Sequence, residues 1–131
     1  ERFTKVRRAN FAAMRDFFAE YEEWFILPRQ NADTETAWLA VPLIVRDDAP
    51  FTRRDLQLHL EHAEIQTRVV FTGNILRQPA FRDIARREDP AGYPNADRVT
   101  HGGILLGCHH GMTQEHLDYV MSVFREFAST R

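Results

Sequence analysis

The densest set of ligand-binding side chains lies between Arg68 and Gln78: Arg68, Phe71, Asn74, Arg77 and Gln78, with Gly73 among them. An arginine fork suits a diphosphate or a carboxylate, and asparagine and glutamine amides suit sugar hydroxyls. These residues follow a β-branched run and occupy an irregular stretch, where ligand contacts commonly sit. Residue types alone leave two readings open: a binding loop, or arginines that are solvated or paired with nearby acids. A second cluster, His101, Cys108, His109 and His110, has zinc-ligand chemistry. Adjacent histidines on extended backbone point to opposite sides, however, and neither a second cysteine nor a histidine pair at helical spacing supports them. They read as a turn between a strand and a helix. Gly102, Gly103 and Gly107 flank a short strand instead of opening a helix, so they read as close packing and tight turns, not as a phosphate loop. Asp47 and Asp48 read as a turn, and Glu20, Glu22 and Glu23 as a solvated helix face. No catalytic residue, cofactor ligand or metal ligand is assigned.

Composition bounds the rest. Lys5 is the only lysine among 17 basic residues, so amine chemistry such as a Schiff base would have to use it. At 131 residues, 44% apolar and 27% charged, the chain fits a single domain, 1–131, with a core of its own. A net charge of -2 gives no reason to expect a nucleic-acid partner. The longest nearly apolar run, Ala37 to Val45, contains Pro42 and falls well short of the ~20 residues of a membrane span. One cysteine, Cys108, excludes an internal disulfide and fits a reducing compartment, so a cytoplasmic location is expected. The chain opens at Glu1 directly into a helical pattern, with no signal sequence, and is expected to be a piece of a longer protein.

The elements that must position these residues follow from periodicity. Phe11, Met14, Phe18, Tyr21 and Phe25 recur at helical steps, with Phe17 and Trp24 widening the stripe, which predicts a helix from Thr4 to Trp24. Ala37 to Val45 predicts a strand, at an edge or a bulge because of Pro42. Asp47 to Pro50 is a turn. Thr52 and Asp55 form a capping box for a helix that buries Leu56, Leu60 and Ala63, with Phe51 and Leu56 as its hydrophobic staple. Thr67 to Phe71 predicts a strand that Thr72-Gly73-Asn74 breaks. Ile75 to Ala96 reads as loop with one helical turn near Phe81 to Ala85, and Asn95 as the cap of a short helix through Val99. Ile104 to Leu106 is a third strand. Thr113 caps a last helix with Leu117, Val120, Met121, Phe124 and Phe127 inward. The sum is a two-layer α+β domain, a short and mostly antiparallel sheet with helices on one side.

Two stretches carry a resemblance. Asp48 to Arg53 and Thr67 to Phe81, above all Gly-Asn-x-x-Arg-Gln-Pro-x-Phe from Gly73, resemble the C-terminal part of sugar-nucleotide 3-dehydrases of the CDP-4-keto-6-deoxyglucose type. These belong among the PLP-dependent sugar aminotransferases and dehydrases. The likeness continues through Pro94 to Arg98 and Gly107 to Thr113, and residues 1–25 resemble the helix that links the two domains of those enzymes. The resemblance implies the small C-terminal domain of a dimeric fold-type-I PLP enzyme that removes the 3-hydroxyl of a 4-keto-6-deoxy sugar nucleotide in deoxysugar and lipopolysaccharide synthesis. It implies PLP or PMP, and in some members an upstream [2Fe-2S] cluster, held by a large domain that this chain lacks. The fragment alone is expected to be inactive. By resemblance, Phe71 and Asn74 would line the sugar or cofactor side of the cleft, while Arg68, Arg77 and Gln78 would hold polar parts of the substrate or brace the loop. Two alternatives remain at this point: the same domain from a sugar-nucleotide aminotransferase, or a stand-alone interaction module that docks through the aromatic helix face.

Overall fold

The structure, a computed structural model, describes all 131 residues. Helix α1 (Arg2–Ala19) is followed by β1 (Phe25–Ile26), β2 (Ala40–Val45), α2 (Arg53–His62) and β3 (Thr67–Val69). Two single 3-10 turns, Ile75–Arg77 and Pro79–Phe81, lead into α3 (Pro94–Gly102), β4 (Gly103–Gly107) and α4 (Gln114–Ala128). All strand pairings are antiparallel, in the order β1-β2-β4-β3. This is the expected α+β layout with a fourth, two-residue strand that periodicity does not reveal, because two residues have no period.

The core is aromatic for a mechanical reason. Helices α1 and α4 cross over the sheet, and Phe17, Phe18, Phe25, Phe51, Phe124 and Phe127 meet between them. Ring centroids lie 4.8–5.8 Å apart in mostly edge-on pairs, the separation that aromatic quadrupoles favour. The aromatic face of α1 is therefore satisfied within the chain: Phe11, Phe17 and Phe18 are buried, and Tyr21 and Trp24 half-buried. This corrects the expectation that the face seeks an external partner. Its stripe is complemented by the inward face of α4, 100 residues away in sequence. The helix also ends earlier than Trp24, at Ala19, because Tyr21 to Trp24 form a turn that brings Phe25 into the sheet.

Three further expectations are refined or changed. Pro42 stands in the second strand of the order, paired to Leu105 of β4 on one side, and at its own position it has the expected edge character and no bulge. It is tolerated because β1 pairs only with Ile44 and Val45, which leaves the other side of β2 free of a partner at Pro42. The strand from Thr67 stops at Val69, and Phe71 has left the ladder with φ +47°. Helix α3 starts at Pro94, not after Asn95, since proline at a first helical position lacks only an amide that would be orphaned anyway. The capping box of α2 forms as expected: Asp55 N–H donates to Thr52 Oγ1 at 3.2 Å and Thr52 N–H to Asp55 at 2.9 Å. Thr113 caps α4 with His116 as its reciprocal partner, at 3.1 Å.

Register decides which face carries the ligand chemistry. Val41, Leu106 and Thr67 lie side by side facing the helices, and Pro42, Leu105 and Arg68 lie side by side on the opposite face. No helix is long and apolar enough to cross a membrane.

Candidate functional site

Residues Phe71 to Gln78 form a loop that stands off the end of β3 and is pinned to α3 by a small polar network. Asn74 is its buried centre, 6% exposed. Its backbone N–H donates to Thr100 Oγ1 at 2.6 Å, its Nδ2 donates to Asp97 Oδ1 at 2.7 Å, and its Oδ1 accepts from Leu76 N–H at 3.1 Å. Arg77 grips the same carboxylate with both prongs, Nε and Nη2 each 2.8 Å from an Asp97 oxygen. That bidentate geometry is the strong form of the arginine–carboxylate pair. The Arg77 fork, followed by the Asn74 amide, holds the Asp97 carboxyl well below the usual carboxylate range. The pair in turn raises the Arg77 guanidinium above its ordinary value.

Gly73 makes this docking possible. Its φ of +59° suits glycine, and a Cβ there would fall 2.6 Å from Thr100 Cα and 2.7 Å from Thr100 N. Gly73→Ala is expected to lift the loop off α3 at a local cost of about 1–3 kcal/mol. Hydrogen–deuterium exchange should show it as lost protection at the Asn74 and Leu76 amides with α4 unchanged. Retained protection at those amides would contradict the packing argument.

The five sequence-derived site residues thus separate into two groups. Asn74, buried, and Arg77, itself exposed, both bind Asp97 and hold the loop in shape. Phe71 and Arg68 face solvent, and Gln78 lies between, half-buried, with Nε2 3.3 Å from the Thr72 carbonyl. Phe71 is 87% exposed while its backbone occupies the left-handed region, an arrangement that costs ~1–3 kcal/mol for a bulky residue and accompanies functional sites. Arg68 lines a groove with Glu61, Glu64 and Gln66. There the Thr67 hydroxyl donates to Glu61 at 2.6 Å and lowers the pKa of its carboxyl. Asp97, the hub of the network, was absent from the sequence-derived set. Its signal was present in Pro94 to Arg98, but twenty residues separate it from Arg77 and no spacing rule joins the two.

The remaining candidates disperse. Cys108 is fully buried with Sγ 3.6 Å from the Trp38 carbonyl, and burial pushes its thiol up to about 11, so it stays protonated near neutrality. His110 stacks on Phe3, His109 accepts from Gly111 N–H, and His101 lies 2.8 Å from the Asp97 carbonyl. Gly102 and Gly103 serve close packing: a Cβ on either would press on the Val45 backbone or the Val99 carbonyl.

Comparison with known proteins identifies the family. A family model described as the DegT/DnrJ/EryC1/StrS aminotransferase family matches residues 1–125. The lipopolysaccharide biosynthesis protein RfbH of Salmonella typhimurium is 33% identical over 127 residues, covering 97% of this chain and 29% of its own length. A dTDP-4-dehydro-2,6-dideoxy-D-glucose 3-dehydratase of Saccharopolyspora spinosa is 32% identical, over 97% of this chain and 27% of its own. Among solved structures, the Escherichia coli GDP-4-keto-6-deoxy-D-mannose-3-dehydratase with bound hydrated PLP superposes with a TM-score of 0.81 at 24% identity. It covers 93% of this chain and 31% of its own. An aminotransferase from Psychrobacter cryohalolentis superposes at 0.83 with 16% identity, over 98% of this chain and 35% of its own. These two share the fold. The chain therefore spans about three-tenths of the length of the curated relatives it matches, and the match of the family model over all but its last six residues makes it a member of the DegT/DnrJ/EryC1/StrS aminotransferase family.

Proposed function

We propose that this chain is the small, C-terminal domain of a PLP-dependent sugar-nucleotide 3-dehydratase, and that its Phe71–Gln78 loop helps position the sugar nucleotide in deoxysugar and lipopolysaccharide synthesis. The whole protein would work as a cytoplasmic homodimer. One observation carries the reading: an exposed aromatic side chain, held on strained backbone, at the tip of a loop that Asn74, Arg77 and Asp97 pin in place. A side chain that packs against nothing in its own domain, on backbone that disfavours it, is explained by a contact made outside that domain. Ile75, Phe81, Ile84 and Tyr93 are exposed along the same stretch, as expected of a surface that faces another domain.

The residues of this chain do not by themselves fit the cofactor. Lys5, its one amine, is exposed on α1, and Gly102 and Gly103 are packed against neighbouring backbone instead of cradling an anion. Cofactor binding and bond breaking are assigned to the part of the relatives' length that this chain does not span. There the cofactor would supply the electron sink for loss of the C3 hydroxyl. This domain would orient: Phe71 would cover an apolar face of the sugar, Arg68 on β3 would meet a polar or anionic part of the substrate, and the Asp97 brace would hold the loop that carries Phe71. A displacement of about 1 Å can cost ~100-fold in rate, so holding the reacting sugar still is a sufficient role.

The test uses the full-length parent protein with pyridoxamine phosphate and a nucleotide-linked 4-keto-6-deoxyhexose. The expected product lacks the C3 oxygen, as read by mass spectrometry; a product that instead carries an amino group at C4 would overturn the dehydratase reading in favour of transamination. Phe71→Gly should lower kcat/KM about tenfold or more while leaving the melting temperature within about 3 °C, because the glycine relieves the left-handed backbone and removes no internal packing. A fall in melting temperature without a change in kinetics would place Phe71 in the fold and not at the substrate.

A further inference from the structure

Beside the Phe71 loop lies a half-open cavity of about 220 Å³, lined by the loop itself, by α3 and by the first turn of α2. Its polar lining is Arg53, Thr72, Gln78 and Thr100, with Phe71 and Gly73 at its rim, and no carboxylate lines it. The Nε of Arg53 is buried and has no hydrogen-bond partner, and no carboxylate lies within ion-pair distance of its guanidinium. The nearest acid on its own helix, Asp55, is committed to the capping box with Thr52. Thr100 Oγ1 is likewise occupied, accepting from Asn74 N–H and donating to the Ala96 carbonyl. The Thr72 hydroxyl makes no hydrogen bond within the chain, and the Gln78 amide makes only a long one to the Thr72 carbonyl. Arg53 as a whole is half-buried, but buried donor atoms such as its Nε are normally satisfied. A donor-rich cavity around a guanidinium with neither partner is built for an oxygen anion.

We propose that Arg53, with the Thr72 hydroxyl and the Gln78 amide, forms a phosphate-binding site beside the Phe71 loop. Arg68 is the less suitable cation for that role, since Glu61 and Glu64 line the groove it occupies. In the positioning domain proposed above, on which this extension rests, the natural occupant is the diphosphate of the sugar nucleotide. The loop would then be clamped from two sides, by Asp97 through Arg77 and by the bound phosphate through Arg53. The same chemistry would also accept free inorganic phosphate as an effector.

The experiment compares the wild-type full-length protein with Arg53→Ala and Arg53→Lys by calorimetric titration with inorganic pyrophosphate, alongside steady-state kinetics with the nucleotide sugar. Pyrophosphate binding is expected to weaken at least tenfold in Arg53→Ala and to be partly restored in Arg53→Lys, which keeps the charge and loses the fork. The first turn of α2 should tolerate both changes because Thr52 and Asp55 remain, and melting temperatures check this. A parallel rise in KM with kcat little changed identifies the occupant as the substrate diphosphate. Weakened pyrophosphate binding with unchanged KM, or in a protein that does not process the sugar at all, supports a phosphate site independent of the dehydratase reading. Equal pyrophosphate affinity in wild type and Arg53→Ala overturns the proposal. So does a lower melting temperature of ligand-free Arg53→Ala at equal affinity, which would make Arg53 a structural partner of the adjoining domain.

Discussion

Asp97→Asn in the full-length protein is expected to reduce kcat/KM by about 100-fold while leaving the core intact. The carboxylate of Asp97 receives three hydrogen bonds, two from Arg77 and one from Asn74. An asparagine offers one acceptor oxygen and turns its own N–H groups toward the Arg77 fork, so the bidentate grip cannot re-form. Loop residues 72–78 would lose the Arg77 fork to α3 and keep only the Asn74 bonds to that helix, so Phe71 would lose its fixed aim. The loss should fall on substrate use, because about 1 Å of misplacement suffices for that factor. Amide protection should fall at Leu76, Arg77 and Gln78 and persist in α4. Kinetics indistinguishable from wild type, with the loop visibly loosened, would show that its order is irrelevant to turnover.

The pH dependence of this brace has a definite sign. The carboxyl of Asp97 titrates below its unfolded value in the folded state. Its contribution to docking the loop is therefore complete above the unfolded carboxylate range, near pH 4, and is lost only as pH falls further through the folded value. The amide NMR shifts of Gly73 and Leu76 should stay flat from about pH 8 to about pH 5. A transition in that window would mean that the Asp97 pair is not what holds the loop.

Phe124→Ala is expected to destabilise the chain by about 3–5 kcal/mol, a large share of the roughly 5–15 kcal/mol available to an ordinary domain. The Phe124 ring is fully buried, and its centroid lies 4.9 Å from both Phe18 and Tyr21, 5.7 Å from Phe25 and 5.8 Å from Phe17. No neighbouring side chain is free to fill the space, because each of these rings is already wedged against another. Phe124→Leu, which keeps most of the volume, should cost about a third as much. Urea denaturation reads both, as a fall in midpoint at constant slope. A cost below about 1 kcal/mol for the alanine variant would mean that α1 and α4 are not held together by these rings.

Local signals in the chain were enough for the existence of all four α-helices and the three longer strands, though not for all of their ends. The capping box at Thr52 and Asp55, the stripe Leu117, Val120, Phe124 and Phe127, and the β-branched run at Thr67 depend on neighbours within a few residues, and those neighbours behave as their chemistry dictates. Where only contacts across the fold decide, the residues alone fell short. Pro42 signalled an edge position, but not that the edge arises inside the strand order because β1 is too short to reach it. The aromatic face of α1 looked unpartnered until α4 folded over it.

The binding loop divides in the same way. Its residue types, its position beyond a strand end and its family resemblance were all legible between Arg68 and Gln78. That Arg77 and Asn74 are spent on Asp97, that Arg68 belongs to the acid-lined groove, and that Arg53 shares a cavity with Phe71 were not. A side chain's chemistry is a property of the residue, whereas its partner is a property of the space it enters. Helix periods and caps are written within a few residues, but the pairing of a guanidinium with a carboxylate twenty positions away exists only once β3, β4 and α3 have brought them together.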